Sequence, residues 1–143
     1  GEATSTTATN PVANTLMAAL PSDLRAVMQP MTIYTDNVGG GSNTASNVTT
    51  SVDYLPLLAE YEIFGSRSYA NSTEQTYQAQ YQYFKNGNSK VKYRDSSTST
   101  TARWWERSPC YDSSYSFCLV NTSGDANGYT ARFSFGLAPA FRV

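Results

Sequence analysis

The sequence contains no histidine and few charged residues. Its 143 residues include 10 Lys and Arg against 11 Asp and Glu, together 15% of the chain, and the formal net charge is −1. Histidine is the commonest general base near neutral pH, so its absence leaves every serine and cysteine without the usual catalytic partner. The scattered cations also give no electrostatic reason to expect binding to nucleic acid or to an anionic membrane.

Cysteines and long apolar segments are equally scarce. No apolar run approaches the roughly 20 residues that a membrane-spanning helix requires, so membrane insertion is not expected. The two cysteines are Cys110 and Cys118. Their spacing permits a disulfide, but Cys118 alternates with its apolar neighbours and is better interpreted as a small buried residue, with Cys110 in an exposed loop. The redox state of the pair is left open by the sequence.

Serine, threonine and asparagine supply most of the polar residues, and there are 11 tyrosines. A polar surface with so little charge is typical of virion, bacterial cell-surface or secreted proteins. The length fits one domain that is large enough to bury a core. Residues 1–9 lack a hydrophobic period, so we expect a flexible tail there and a single domain over residues 10–143.

Helical spacing of apolar residues predicts two short N-terminal helices and a longer third helix. The first begins at Asn10, which can cap a helix with proline at its first position, and ends before Pro21. The second follows Ser22 and ends before Pro30. The third is expected over residues 71–84, with an aromatic stripe on one side. We expect these helices to pack on the core, since an apolar stripe is more often buried than partner-binding.

Alternating patterns predict strands, and these fall mainly in the C-terminal half. The predicted strands lie at residues 31–38, 52–58, 90–94, 117–120 and 129–135, with residues 137–143 closing a sheet. Residues 39–51, which contain three consecutive glycines, are interpreted as a flexible surface loop. Residues 123–125 predict a hairpin turn. Trp104 and Trp105 must face opposite ways in a strand, so one can enter the core while the other covers a second layer or lines a binding face.

The carboxylates show no pattern that favours catalysis or a metal site. Glu60 and Glu62 are close in sequence, but on a helix they would point to different faces, so we interpret them as solvated charges. Glu106 and Arg107 are expected to pair locally. Oxygen ligands for calcium could come from Asp112, Asn121, Asp125 and Asn127, which lack the spacing of a calcium-binding loop. No metal and no cofactor is therefore expected.

Residues 103–143 are dense in Tyr, Ser, Asn, Asp and Gly between two apolar ends. Tyrosine and tryptophan give large contact areas with few rotatable bonds, and the small polar residues give adaptable hydrogen bonding, as in antibody binding sites. The segment therefore predicts a displayed binding face, with Tyr111, Tyr115, Tyr129 and Arg132 as its anchors. The full set of predicted ligand-binding residues is Tyr111, Asp112, Ser113, Ser114, Tyr115, Asn121, Asn127, Tyr129, Arg132 and Phe133.

Several motifs carry a resemblance to a known family. The sequence WWERSP at residues 104–109, FCLV at residues 117–120 and GLAPAFRV at residues 136–143, with weaker blocks upstream, resemble a bacterial and phage family with a C-type lectin-like fold. The resemblance covers roughly residues 52–143. It implies an α+β domain with two or three helices and a C-terminal antiparallel sheet. Some relatives are variable proteins of diversity-generating retroelements, and others are phage or prophage structural proteins.

The resemblance also places the predicted binding residues at the family's display positions. Formylglycine-generating enzymes share this fold and use paired cysteines, but Cys110 and Cys118 do not match their motif. We therefore expect a non-enzymatic module that binds a protein or glycan ligand on a host or target surface, as the variable receptor-binding proteins of phages do. The alternative is a virion or cell-surface structural module that self-associates and has no diversified face.

Overall fold

The computed structural model describes residues 8–96 and 99–143, so residues 1–7 of the expected tail lie outside the described residues. The α-helices are α1 Ser22–Val27, α2 Glu60–Phe64 and α3 Gln82–Lys85, and 3-10 turns form at Met17–Ala19, Ala45–Asn47 and Glu74–Thr76. The strands are β1 Met31–Asp36, β2 Val48–Asp53, β3 Lys92–Tyr93, β4 Thr101–Ala102, β5 Trp104–Pro109, β6 Ser116–Val120, β7 Ala126–Thr130 and β8 Gly136–Leu137.

The expected α+β, C-type lectin-like fold is wrong, because strands predominate and helices are short. The longest helix is α1 with six residues, and none in the described ranges reaches seven. The third predicted helix, residues 71–84, is reduced to a 3-10 turn and α3. The Tyr81 N–H donates to the Glu62 carbonyl at 2.9 Å, and Gln80 Nε2 donates to the Ile63 carbonyl at 3.0 Å. The Tyr81 bond replaces the local backbone bond that a continuous helix would need, and the Gln80 side chain adds a second link to α2.

The first predicted helix is likewise only the 3-10 turn Met17–Ala19, whereas the second is present as α1. Met17 is fully buried and packs with Met28, Leu55 and Ala8. Ala8 belongs to the segment expected to be a tail, and its carbonyl accepts a hydrogen bond from Arg25 Nη1 at 3.2 Å. The described end of that segment is thus packed on the domain.

A four-stranded sheet with the order β7-β6-β5-β8 dominates the C-terminal half, beside the two-stranded sheets β1-β2 and β3-β4. The expectation of an antiparallel C-terminal sheet is wrong at one edge, since β8 pairs with β5 in parallel. In this register Gly136 is level with Trp104, Val120 and Ala126, the first residue of β7. Residues 131–135 must therefore run back across one face of the sheet before β8 begins. We call this the outward face.

The opposite face of the sheet closes the core. Trp104 is 1% exposed and packs with Ile63, Val120 and Phe84. A bulge follows in β5. Between the regular pairs Trp105–Leu119 and Pro109–Phe117, three residues of β5 lie opposite the single residue Cys118 of β6. The tryptophan pair alternates as the sequence predicted, with Trp104 buried and Trp105 half-buried on the outward face.

The triple-glycine loop is anchored, contrary to the expected flexible loop. The Gly40 N–H donates to the Cys110 carbonyl at 3.0 Å. Gly40 has a positive φ of 63°, and a Cβ there would lie 2.5 Å from the Ser114 nitrogen, so only glycine fits. The loop therefore fixes the turn that follows β5. None of the described helices has the length and apolar character to cross a membrane.

Candidate ligand-binding face

Four aromatic rings form one cluster on the outward face, which we call the aromatic patch: Trp105, Tyr129, Phe133 and Phe135. Phe135 lies 4.9 Å from Trp105 and 5.7 Å from Tyr129 between ring centroids. Tyr129 and Phe133 meet edge to face at 4.8 Å. Trp105 comes from β5, Tyr129 from β7, and the two phenylalanines from the crossing segment. The crossing is thus what brings these side chains together.

Two arginines lie over the rings of the aromatic patch. The Arg103 guanidinium is 5.5 Å from the Tyr129 centroid and 5.6 Å from that of Phe135, and Arg132 is 5.1 Å from Phe133. Such cation–π contacts orient a guanidinium without consuming its hydrogen-bonding edge. Arg103 also donates from Nε to Asn121 Oδ1 at 2.9 Å. Neither arginine forms an ion pair with a carboxylate in the part of the chain that the structure describes.

Beside the aromatic patch lies a groove of about 520 Å³, which we call the arginine groove. Its lining includes Arg94, Arg103, Phe135 and the hydroxyl residues Thr101, Thr122 and Ser134. Among the residues that the structure describes, no acidic side chain lines it. The volume lies within the roughly 300–1,000 Å³ that is usual for ligand sites. The groove is therefore a cationic, hydroxyl-rich extension of the patch.

On the other side of the patch the surface is apolar. Two shallow hollows share Phe117 and Ala131. One also contains Leu57, Trp105 and Leu137, and the other contains Tyr115 and Arg132. Large side chains that line the hollows are well exposed: Tyr115 by 68%, Leu137 by 57% and Phe117 by 39%. Phe133 of the aromatic patch is exposed by 39% as well. The outward face is thus a continuous exposed surface of apolar hollows, aromatic rings and guanidinium groups.

The structure brings many of the predicted binding residues onto this surface. Tyr129, Phe133 and Arg132 are at its centre, and Asn121 contacts it through Arg103. Ser114 and Tyr115 line the hollow beside Arg132. Asn127 lies on β7 opposite Leu119, two residues before Tyr129, and so faces the same side.

Tyr111, Asp112 and Ser113 are not part of the outward face. The Tyr111 ring lies 5.0 Å from the Arg67 guanidinium, and its N–H donates to the Tyr69 carbonyl at 2.8 Å. Ser113 Oγ donates to Ser116 Oγ at 2.9 Å, and Asp112 is exposed. These residues form the turn that packs on the glycine loop.

Sequence reasoning missed Arg94, Arg103 and Phe135 and left Trp105 undecided. Phe135 shares period-two spacing with Tyr129 and Phe133, which the sequence could have used as a signal. The strand predicted over residues 129–135 is nevertheless wrong beyond Thr130, where β7 ends, so the crossing segment places the Phe135 ring. The arginines carried no such signal. Arg103 and Arg94 line one groove because the β3-β4 pair and β8 both contribute to its walls.

Interior carboxylates form a second polar region, and the interpretation of Glu60 and Glu62 as solvated charges is wrong. Glu60 is 1% exposed and accepts hydrogen bonds from the backbone N–H groups of residues 68–70 at 2.7–3.2 Å. Glu62 is 8% exposed and forms a two-point ion pair with Arg107. The Glu60 carboxylate therefore fixes the backbone of residues 68–70, and the Glu62 carboxylate fixes the Arg107 side chain.

Glu106 does not pair with Arg107 as expected. It is 2% exposed, and neither side-chain oxygen has a hydrogen-bond partner in the described ranges. Burial raises the pKa of Glu106 well above its ordinary value, and the charges of Glu60 and Glu74 raise the pKa further. A neutral carboxylic acid is the form that this environment favours.

The two thiols are free, buried and packed in one cluster, so the expected exposure of Cys110 is wrong. The Cys118 thiol donates to the Pro109 carbonyl at 3.8 Å. Its proximity lowers the pKa of Cys110, while the neighbouring Cys110 sulfur and burial raise the pKa of Cys118. A Cβ added at Gly128 would lie only 2.7 Å from Cys110 Sγ, so Cys110 occupies the space that a side chain there would need. The pair fills the space between β7 and Ala70.

The interior carboxylates of Glu60 and Glu62 are already bonded to backbone or arginine. Within the described ranges, no group of three Cys, Asp or Glu side chains is placed to hold a metal ion. What the outward face offers to a ligand is apolar burial, aromatic stacking and guanidinium hydrogen bonds.

Neither the curated proteins nor the solved structures include a match to this chain. One family does match, over residues 12–143, and its description is a domain of unknown function. That match spans nearly the whole sequence and includes every residue of the outward face. The chain therefore belongs to the DUF6273 family.

Proposed function

We propose that the protein is a non-enzymatic recognition module that binds a protein or glycan ligand on its outward face. A narrower form of this proposal is a variable protein of a diversity-generating retroelement in a phage or prophage. In either form, the aromatic patch supplies the anchors and the flanking hollows and groove supply specificity.

The observation that carries the proposal is a continuous exposed surface of apolar and aromatic side chains around Arg103 and Arg132. Neither arginine has a carboxylate partner among the described residues. Contiguous exposed apolar surface is uncommon on monomeric proteins and marks interaction sites. Aromatic residues and arginine are also the residue types that dominate binding energy in interfaces. Phe133, exposed by 39%, is held between Tyr129 and Arg132, so it is presented in a fixed orientation.

A pre-ordered surface supports binding for a second reason. The rings contact each other and Arg103 is tied to Asn121, so little side-chain freedom remains to be lost when a ligand arrives. The interior supports the non-enzymatic part, because the sequence has no histidine and the buried carboxylates Glu60 and Glu62 serve structural contacts.

The experiment is ligand selection followed by matched variants. Random dodecapeptides displayed on phage and an immobilised glycan panel would be screened against the full chain. The Kd of each ligand would then be measured for Tyr129→Ala, Phe133→Ser and the control Tyr83→Ala. Tyr83 is a suitable control because its side chain is also aromatic and is 53% exposed. It lies on α3, which contacts α2, and α2 packs against the side of β5 opposite to the outward face.

We expect the two patch variants to weaken binding by about tenfold or more, as interface anchors do, and Tyr83→Ala to leave it unchanged. Unfolding curves would verify that all three remain folded. Ligands that bind the patch variants as tightly as the wild type would contradict the proposal. A concentration-dependent dimer that Phe133→Ser abolishes would instead support the self-associating structural module.

A further inference from the structure

We propose that the arginine groove binds a carboxylate and that the ligand is a protein segment in which acidic residues flank apolar ones. This inference rests on the proposed function of the outward face. It adds the chemistry of the ligand and assigns Arg94, a residue outside the patch, to the site.

The charge of the groove points to a carboxylate. Arg94 and Arg103 both line it, none of the described residues that line it is acidic, and the chain as a whole carries a net charge of −1. The Arg94 side chain is exposed and makes no hydrogen bond or ion pair with the described residues. Arg103 uses Nε for Asn121, which leaves both terminal nitrogens available. Guanidinium groups match the planar geometry of carboxylates and can hold them by two parallel hydrogen bonds.

Hydroxyl groups complete the polar lining. Thr101, Thr122 and Ser134 also border the groove. A bound carboxylate has about four lone-pair sites to satisfy, so hydroxyl donors can supplement the guanidinium groups. The groove thus offers a carboxylate more donors than the arginines alone provide.

The apolar hollows favour a protein ligand over a sugar. The hollow formed by Leu57, Trp105, Phe117 and Leu137 offers mainly hydrocarbon and aromatic surface. Apolar side chains such as leucine or phenylalanine gain free energy by leaving water there, whereas the hydroxyl groups of a sugar would lose hydrogen bonds. Trp105 and Phe135 connect this hollow to the groove, so one extended segment can occupy both.

Arg94 is the informative position for the test, because Arg103 also supports the aromatic patch. Dodecapeptides selected on the full chain would be synthesised with each Asp or Glu retained or changed to Asn or Gln. Their Kd would be measured with the wild type, with Arg94→Gln, and with Lys85→Gln as a control that removes an equally exposed cation from α3. A uronic acid oligomer, oligogalacturonate, would be titrated in parallel.

We expect the selected peptides to carry Asp or Glu beside Leu, Phe or Trp. Losing either the carboxylate or Arg94 should weaken binding about tenfold, and losing both should cost little more than either alone. Lys85→Gln should have no effect, and the contribution of Arg94 should shrink at high salt.

Two outcomes overturn the inference while leaving the proposed function intact. The first is a set of peptides that depend on Phe133 but bind Arg94→Gln as tightly as the wild type. In the second, oligogalacturonate binds the wild type and loses affinity with Arg94→Gln, while no selected peptide loses affinity when the aromatic patch is changed. The ligand would then be an acidic glycan. Failure of the proposed function is a different result, in which selected ligands of either class ignore Tyr129→Ala and Phe133→Ser.

Discussion

Arg107 on β5 holds the carboxylate of Glu62 on α2 by two hydrogen bonds, from Nη1 to Oε2 at 2.6 Å and from Nη2 to Oε1 at 2.7 Å. The same guanidinium donates to the carbonyls of Leu57 at 2.9 Å and Tyr34 at 3.3 Å. One side chain therefore joins β1, the segment before α2, and β5. Since β5 also carries Trp105, this pair fixes the strand on which the aromatic patch is built.

Replacing Arg107 with leucine should destabilise the fold strongly. The change leaves the Glu62 carboxylate, which is 8% exposed as a residue, without its counter-charge. Removing one partner of a buried ion pair costs about 3–5 kcal/mol in free energy of unfolding. Urea denaturation of Arg107→Leu measures this cost.

The matched control for that prediction is the double variant Glu62→Gln/Arg107→Leu. It has no unpaired charge, so it should recover part of the stability that the single variant loses. A single variant that unfolds within about 1 kcal/mol of the wild type would show that the pair behaves like an exposed salt bridge.

Gly128→Ala should destabilise the sheet through a clash with Cys110. A Cβ at this position would lie 2.7 Å from Cys110 Sγ and 3.3 Å from Tyr69 Cδ1. Cys110 is 2% exposed and has little room to move, so overpacking of about 1–3 kcal/mol is expected. In a Cys110→Ala background the same substitution should cost less, and equal costs in both backgrounds would refute the clash. Thermal unfolding of the four proteins in this cycle gives the comparison.

Glu106→Gln should change how stability depends on pH. Unfolded Glu106 loses its proton near the ordinary value of 4.5, whereas burial holds the folded-state pKa well above it. Above that ordinary value the unfolded state therefore binds fewer protons, so this group's contribution to stability falls as pH rises toward the folded-state pKa. Glutamine does not titrate, so the variant should lose less stability between mildly acidic and neutral pH.

Urea denaturation of wild type and Glu106→Gln at several pH values measures the difference in slope. The pKa of Glu74 is also raised by burial, so both proteins should lose some stability as pH rises, and the loss should be larger in the wild type. Parallel curves for the two proteins would mean that Glu106 titrates in the folded state as it does in water.

Local patterns were sufficient to predict some elements. The strand at residues 31–38 appears as β1, that at residues 117–120 as β6, and the turn at residues 123–125 joins β6 to β7. The alternation of Trp104 and Trp105 also holds. In these segments the period of the apolar residues and the turn residues point to the same structure.

Predictions failed where distant residues determine the local structure. The aromatic stripe at Tyr77, Tyr81 and Phe84 has helical spacing, yet bonds from Gln80 and Tyr81 to α2 interrupt the helix. Glu62 looked solvated because its partner Arg107 lies far along the chain. The composition of residues 103–143 indicated the segment that supplies most of the outward face. Arg94 and Arg103, however, line one groove only in the folded protein.

If the protein is a diversified binding protein, sequence variation should follow the outward face. Substitutions should cluster at exposed positions such as Tyr115, Arg132 and Phe133. They should spare Trp104, which fills the core, and Gly128, which has no space for a side chain. Sequencing this gene and any near-copy template across isolates tests this, with adenines in the template marking the changed positions. Substitutions spread evenly over the chain would reject diversification.

The most direct test of the central claim uses the two tryptophans as reporters of opposite faces. The Trp104 indole N–H donates to the Lys90 carbonyl at 2.9 Å inside the protein, whereas the Trp105 ring lies on the aromatic patch. In a nitrogen-15 NMR titration with a selected ligand, with Trp105→Phe used to assign the indole signals, the Trp105 indole and the Tyr129 and Phe133 amides should shift. The Trp104 indole should not. Shifts confined to the Tyr111 turn or to α2 and α3, with the Trp105 signal unchanged, would contradict the outward face as the binding site.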